Sequence, residues 1–590
     1  MTTTTTTAIQ KGGVWLLDET SPDTIVTPER MTDEQRMIGQ TTQEFVVNEV
    51  VNQNDKLETK DWDLARQLLR RAGELGLLGT DVPETYGGIE LDKVSSVVIT
   101  GHVGMTGSFS SAFGSQTGLV IMPIRTFGTE TQKRQYLPKL VSGEMVGAYC
   151  LSEAGSGSDA LNAKARATQQ DDGSFILSGE KMWITNGGFA DVYIVFAKVN
   201  GEQFTAFIVD RAWEGVSTGK EENKMGLHGS STTPVILQDV TVPADALLGE
   251  IGKGHKVAFN VLNYGRFKLA ASTVGGSQNA IRESARYAVE RHQFGQPIAN
   301  FGAIKHKLGE MTVRTYALES MVFRTAGLID AALNGNEPGD DAALIGVLEE
   351  YAIESSILKV AGSETLDYVL DENVQIHGGN GYVKDYPAER HYRDSRVNRI
   401  FEGTNEINRL LIPGILVKRA LKGSLPLITA AKKLQDELMN PSPLVPPSGE
   451  VLKTQQETVT MFKKVALAVL GLTLQTYGDK LTEQQEVLLF TADILIDTYA
   501  AESAVLRALQ SATSSKRGST HAEAAQIYVN DAAFRIDAAA RSSLAAMAEG
   551  DSLRTHLAAL RRLLKVTPVN TVAIRRSVAD KVVEHGGYIF

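Results

Sequence analysis

Glu402 is a candidate general base. It sits in Arg399-Ile400-Phe401-Glu402-Gly403-Thr404-Asn405-Glu406, between an apolar aromatic run and a glycine. An apolar wall such as Phe401 raises the proton affinity of a neighbouring carboxylate. Gly403 lets a substrate or another backbone come close. Thr404 or Asn405 can cap a helix that starts near Glu406. The plainer alternative is a capped helix start carrying a solvated glutamate.

Four further stretches could bind a ligand. Tyr149-Cys150-Leu151-Ser152-Glu153-Ala154-Gly155-Ser156-Gly157-Ser158-Asp159 alternates glycine with serine. Such a loop exposes N–H groups and hydroxyls that suit a flat heteroaromatic carbonyl or a phosphate; alone, it reads equally as a flexible surface loop. It is neither a Walker loop nor a Rossmann turn. In Lys181-Met182-Trp183-Ile184-Thr185-Asn186-Gly187-Gly188, Trp183 and Thr185 share one face of a strand. One offers an aromatic surface and the other a hydroxyl; the alternative for Trp183 is a place in the core. Arg291-His292-Gln293-Phe294-Gly295-Gln296-Pro297-Ile298 supplies an arginine able to pair a pyrophosphate. Gln375-Ile376-His377-Gly378-Gly379-Asn380-Gly381-Tyr382 allows close backbone approach to a second phosphate or ribose. Each of these two also reads as a helix end with a glycine cap, and His377 as a structural histidine. No His/Asp/Glu grouping has metal-ligand spacing, and no nucleophile elbow appears. The single cysteine, Cys150, excludes an intrachain disulfide and a cysteine metal site.

These groups need a scaffold, and 590 residues allow three or four domains. A hydrophobic fraction of 42% and a charged fraction of 22% fit a globular chain with a full core. The net charge of −11 argues against a nucleic-acid partner. The Thr tract Met1–Ala8 reads as neither a secretory signal nor a transit peptide, and residues 1–30 as an extended or frayed N-terminal arm. No run of ~18 apolar residues suggests a membrane span.

Helical periodicity starts behind a capping box at Thr32-Asp33-Glu34-Gln35 and continues through Leu64, Leu68, Leu69 and Leu75. Small residues from Ser95 to Gly118 suggest closely packed helices or a pocket wall. Short β-branched runs follow, at Phe175–Gly179, Val192–Ala197, Phe204–Val209 and Val235–Leu237. The pattern predicts an α+β chain: an N-terminal helical domain over 31–146, a middle antiparallel β domain over 147–255, a C-terminal four-helix bundle over 256–424, a linker over 425–449 and an additional helical domain over 450–590. The proline-rich Asn440–Gly449 reads as the stiff part of that linker. A sheet domain set between helical ones makes a cleft at their junction, a usual place for a cofactor.

Together, Tyr149–Asp159, Met182–Gly188, Arg291-x-x-Phe294-Gly295, Gln375–Gly379 and Phe401–Thr404 resemble the acyl-CoA dehydrogenase family in order and spacing, over about residues 30–420. The long C-terminal addition is similar to the very-long-chain branch. So are Asn263-Tyr264-Gly265-Arg266-Phe267, the turn Gly249–Gly254, and Trp15-Leu16-Leu17 with Thr27-Pro28-Glu29. The resemblance implies FAD as cofactor and the oxidation of an acyl-CoA to a trans-2-enoyl-CoA, as in fatty-acid β-oxidation. Glu402 would remove the α-proton and the flavin would take the β-hydride. Ser152 would bond the flavin pyrimidine edge, Trp183 cover the ring and Thr185 bond near its reactive nitrogen. Tyr149, Leu151, Gly157, Ser158 and Ile184 would join them. Arg291, Gln293, Phe294, Gln375, Gly378 and Gly379 would hold the adenosine diphosphate part across a subunit interface, with Thr404 and Glu406 completing that pocket. The family usually has an amide-type residue near Glu406, a departure here. Ser158, Asn263, Arg266, Phe401 and Gly403 would contact substrate, and no metal is implied.

Some relatives carry the base at the position corresponding to Gly265, where a glycine cannot act, so Glu402 stands alone. Ser111–Met122, the implied floor of the acyl pocket, has no carboxylate and includes Gly114 and Ser115, which favours long acyl chains. The resemblance further implies an electron-transfer flavoprotein as acceptor, a homodimer and a bacterial-type cytoplasmic location. Peripheral membrane contact through the C-terminal domain, around Phe462-Lys463-Lys464-Val465, competes with ordinary bundle packing. The rival functions are an acyl-CoA oxidase, or an assembly factor or DNA-associated flavoprotein of the same fold. The basic cluster Arg554, Arg561, Arg562 and Lys565 reads as a solvated helix face.

Overall fold

The computed structural model describes residues 10–337, 339–439, 452–512 and 517–590. The Thr tract and the proline-rich Asn440–Gly449 lie outside the described residues. Helices α1 (Asp33–Phe45), α2 (Asn54–Glu58), α3 (Trp62–Glu74), α4 (Lys93–Val103), α5 (Ser108–Gly114), α6 (Met122–Phe127) and α7 (Glu130–Val141) open the chain. The expected capping box starts α1: the Thr32 hydroxyl accepts from the Gln35 N–H, and the Gln35 side chain accepts from the Thr32 N–H. Between α5 and α6 the chain widens into a π-helical turn, Ser115–Ile121, of the kind often found at functional sites.

Strands β1 (Gly147–Cys150), β2 (Arg166–Gln169), β3 (Phe175–Thr185), β4 (Val192–Val199), β5 (Gln203–Asp210), β6 (Val216–Thr218), β7 (Thr232–Val242) and β8 (Leu247–Leu248) form one sheet. Its order is β6-β7-β3-β2-β4-β5-β8, with β1 also on β4. Antiparallel pairings dominate, as expected, but β1 and β2 both run parallel to β4, so the sheet is mixed. They lie end to end along one edge of β4, separated by the glycine-serine loop, and a chain returning to the same edge keeps its direction. The strand β4 is buried on both faces. Val192, Ile194 and Phe196 point into the core shared with the N-terminal helices, while Tyr193, Val195 and Ala197 point into the sheet domain's own core. Alternation at period two thus rivets the two domains together.

The C-terminal bundle comprises α8 (Gly254–Glu290), a small hairpin of β9 (His292–Gln293) and β10 (Gln296–Pro297), α9 (Gly302–Leu333), α10 (Asp341–Glu350), α11 (Ala352–His377), α12 (Ala388–Ser395) and α13 (Asn405–Leu421). Close contact between α4 and α8 depends on Gly275, where a Cβ would stand 1.7 Å from the Gly101 carbonyl oxygen. The final elements are α14 (Leu427–Met439), α15 (Lys453–Tyr477), α16 (Gln485–Ala512), α17 (Gly518–Met547), α18 (Gly550–Leu563) and α19 (Thr571–His585). A helix therefore occupies the first half of the segment read as a linker. Among the described residues no helix is long and apolar enough to cross a membrane.

The N-terminal segment differs from the frayed arm that its composition suggests. From residue 10 it is a chain of short turns clamped between the bundle and the additional helices. Trp15 is 1% exposed, with its indole N–H on Glu354 at 3.0 Å and its ring 4.9 Å from that of Tyr499. The buried Arg507 guanidinium reaches Glu29 at 2.6 Å and Glu319 at 2.7 Å. The physical reason is Trp15 and Leu16, two large apolar side chains that find burial only in the seam between α11 and α16. Trp15→Ala is expected to remove about 3–5 kcal/mol of stability. Thermal unfolding should begin earlier and limited proteolysis should cut the released segment; an unchanged transition would mean that the clamp carries no load.

Candidate active site

The backbone at Glu402 is left-handed, with φ 57°, and Gly403 follows at φ 79°. For a glutamate this conformation costs on the order of 1–3 kcal/mol and persists only where neighbours impose it. Two side chains do so. Arg266 Nε donates to the Glu402 carbonyl at 3.0 Å. Asn408 Nδ2 donates to the carbonyls of Gly403 at 2.8 Å and Thr404 at 3.0 Å. The capping question is settled for Thr404, whose hydroxyl accepts from the Ile407 N–H at 3.3 Å and starts α13.

The strained turn drives the carboxyl inward over α8, into the space left by Gly265. A Cβ at that position would lie 2.7 Å from Glu402 Oε2 and 2.9 Å from Cδ. Oε2 is buried and has no hydrogen-bond partner. Burial pushes the Glu402 carboxyl up to about 7, against the pull of the Arg266 and Lys359 cations. A carboxyl poised there takes protons readily at neutral pH.

Glu402 lines a cavity of about 180 Å³. One wall is a single face of α8, from Gly265 through Leu269, Ser272 and Gly276 to Asn279. The lining also includes Thr100, Gly104, Ser110, Gly114 and Gly118, from the stretch of small residues that suggested a pocket wall. Thr185, Phe401 and Glu402 line the same cavity, so the strand motif and the base meet there.

The glycine-serine loop is pinned at its base. Glu153 and Ser156 exchange two backbone hydrogen bonds, at 3.0 and 3.1 Å. The Glu153 carboxylate accepts from the Lys164 and Ala165 N–H groups and from buried Lys181 at 2.7 Å. A Cβ would meet nothing at Gly155 or Gly157, so this edge is open. Next to it, the Met182 N–H donates to the Ser152 carbonyl at 2.9 Å, which sets Ser152 beside the Trp183 strand. A register shift between Lys181 and Ile184, with φ 59° at Trp183, turns that indole outward to 56% exposure. Trp183 is therefore not a core tryptophan. Glu153 and Lys181, which hold the loop, each lie within a motif, but no local signal in the sequence pairs them.

Arg291, Gln293 and Phe294 lie at the far end of α8. Phe294 and Gly295 both have positive φ at the hairpin tip, and the Phe294 ring is 92% exposed. Gln375, Gly378 and Gly379 end the adjacent α11, and all three are exposed. The two motifs are brought together by Tyr287 of α8, which stacks on His377 at 4.2 Å and accepts from Asn380 at 3.0 Å. His377 is thus structural. Along α8, 26 residues separate Arg291 from Gly265, roughly 39 Å, so this end of the chain is remote from its own Glu402. Asn263 and Arg266 are buried and bonded to each other at 3.0 Å, and Arg266 also holds the Glu402 carbonyl, a contact their motif did not suggest. Ser158 is exposed at the loop rim and Glu406 on the first turn of α13.

Models of the acyl-CoA dehydrogenase N-terminal, middle and C-terminal domains match residues 32–144, 148–240 and 252–415, and a further acyl-CoA dehydrogenase C-terminal domain model matches 461–562. The chain belongs to the acyl-CoA dehydrogenase family. It is 49% identical over 586 residues to a probable acyl-CoA dehydrogenase of Bacillus subtilis strain 168, covering 98% of both chains. It superposes with a TM-score of 0.97 and 48% identity on the acyl-CoA dehydrogenase of Bacillus anthracis solved in complex with FAD, covering 98% of this chain and 100% of that one. The human very long-chain specific acyl-CoA dehydrogenase is 39% identical over 350 residues, and the match spans about half of that protein, 51%. Gly265→Ala is expected to displace the Glu402 carboxyl and lower acyl-CoA turnover by about 10²-fold, with circular dichroism unchanged; full turnover would show that Glu402 does not need this space.

Proposed function

We propose that the protein oxidises long-chain acyl-CoA thioesters between Cα and Cβ with FAD, using Glu402 as the base. The observation that carries this reading is the Glu402 carboxyl, its Oε2 buried and unbonded, set over Gly265 in the wall of the pocket. An α-proton beside a thioester is too weakly acidic for a carboxylate in water. A base whose proton affinity is raised by burial, in a site from which the acyl chain excludes water, closes much of that gap.

The open edge formed by Ser152, Gly155, Gly157, exposed Trp183 and Thr185 fits a flat heteroaromatic ring system. Ser152, with Tyr149 and Leu151 behind it, would bond one edge; Thr185 and Ile184 would bond the other, beneath Trp183. Bound FAD supplies the acceptor for the β-hydride. Arg291, Phe294, Gln375 and Gly379 would hold the dinucleotide's other end in a second copy of the chain, because roughly 39 Å of helix separates them from Glu402. A homodimer follows from that separation. Trp183 reaches the surface beside Thr185, which supports delivery of electrons to a docked protein such as an electron-transfer flavoprotein.

The α8 wall from Gly265 to Asn279 spans 14 residues, roughly 21 Å. At roughly 1.2 Å per bond of an extended chain, this accommodates an acyl chain of about 16–18 carbons.

Glu402→Gln is expected to lower turnover by about 10³-fold while the protein stays yellow; full turnover would remove Glu402 from the mechanism. The value of kcat/KM should rise about tenfold per pH unit up to about pH 7 and then level, since Glu402 must be ionised to act. The stability sign is opposite. The folded carboxyl is raised above its unfolded value, so its stabilising contribution is complete at low pH and lost as pH rises to about 7. Glu402→Gln should therefore stabilise the protein at pH 8, by on the order of 3 kcal/mol, and not at pH 4. Anaerobic titration with acyl-CoAs of graded length should bleach the flavin best at about 16–18 carbons; a clear preference for four carbons would overturn the chain-length reading.

A further inference from the structure

Lys359 is a buried ammonium with no carboxylate of its own. It lies on α11, 0% exposed, and its Nζ donates to Asn405 Oδ1 at 2.7 Å. Among the described residues it makes no ion pair, although an unpaired buried cation costs several kcal/mol. The orientation of its one partner is fixed. Asn405 Nδ2 donates to Ser363 Oγ at 3.0 Å and to Glu364 Oε1 at 3.0 Å, which leaves the amide oxygen facing Lys359. Asn405 is the first residue of α13, three positions after Glu402.

Two uncompensated groups therefore lie on either side of one helix turn: an ammonium without an anion, and Glu402 Oε2 without a hydrogen bond. The other cation near Glu402, Arg266, is differently employed, with Nε on the Glu402 carbonyl and Nη1 on Asn263. We propose that Lys359 is a positioning residue for the dehydrogenation: through Asn405 it anchors the turn that carries Glu402, and its charge supplies the field that favours the ionised base. The inference rests on Glu402 being that base. Its consequence is that the buried anion and the buried cation compensate one another at a distance, leaving the carboxyl oxygens free for a proton.

The groups facing Glu402 are Arg266 from α8, Lys359 from α11 and the neutral phenol of Tyr149 from β1. Those facing Lys359 are Glu402, Arg266 from α8, Glu364 from α11 and Glu406 from α13. Burial lowers the Lys359 ammonium to about 8 while Glu402 opposes the shift, so it is charged at neutral pH.

The test is a pH titration of the Glu402 carboxyl band by infrared difference spectroscopy, taking the wild type minus Glu402→Gln, alongside the pH profile of anaerobic flavin bleaching by palmitoyl-CoA. In Lys359→Met the band midpoint should move up by about one pH unit, with bleaching at pH 7 slowed about fivefold through lost ionisation and that part of the loss recovered at higher pH. Lys359→Arg should restore both. Asn405→Asp, which hands Lys359 an anion without removing it, should raise the midpoint too, and serves if Lys359→Met does not fold. A midpoint unmoved in Lys359→Met or Asn405→Asp overturns the proposal, as does a Lys359→Met enzyme that bleaches at the wild-type rate at pH 7. Full turnover in Glu402→Gln would instead sink the base assignment, with the carboxyl titration still readable.

Discussion

The site depends on one peptide held in an unfavourable conformation. A glutamate with φ 57° is strained, and relaxing that turn would swing its carboxyl out of the pocket. The strain is sustained by a hydrogen bond from Arg266 to the Glu402 carbonyl, by the Asn408 amide on the next two carbonyls, and by the missing side chain at Gly265. Each comes from a helix whose own position is set by packing far from the chemistry. The long α8 supplies both Arg266 and Gly265, and it sits where it does because Gly275 lets it touch α4. Precision at one carboxyl is thus an outcome of bundle geometry.

The same logic separates the two ends of α8. Its middle shapes the cavity and holds the base, while its C-terminus presents Arg291 and Phe294 at a hairpin tip with the glycines of α11 alongside. Rigid helix between them fixes the spacing. The sheet domain contributes the third side, and the buried Glu153–Lys181 pair stiffens a loop whose composition alone suggests mobility. Polar groups at the rim are free for a ligand because other polar groups, below the surface, hold the backbone.

Much of this was legible in the sequence for identifiable reasons. The capping box at Thr32, the β-branched runs of the sheet and the helical periodicity of the bundle are local signals, and they mark their elements. Glu402 stood out through its neighbours Phe401 and Gly403. Features that depend on contacts distant in sequence did not. Trp183 appeared to share a plain strand face with Thr185, whereas a bulge turns it outward. Arg266 reads as a substrate contact in its motif, and only the fold shows that it also holds a carbonyl 136 positions away. Lys359 lies in an unremarkable helical run, and only the fold brings it to Asn405. The N-terminal arm looked frayed because nothing near it in sequence could bury Trp15.

That arm has a consequence for how the protein is made. The Thr27 hydroxyl donates to Gln510, 483 positions downstream. At roughly 5–20 residues per second of synthesis, the partner emerges between about half a minute and a minute and a half after the arm does. During that time Trp15 and Leu16 have no seam to enter. Docking of the first segment is therefore a late event, after α16 exists. Until then the indole of Trp15 lacks both Tyr499 and the seam that buries it.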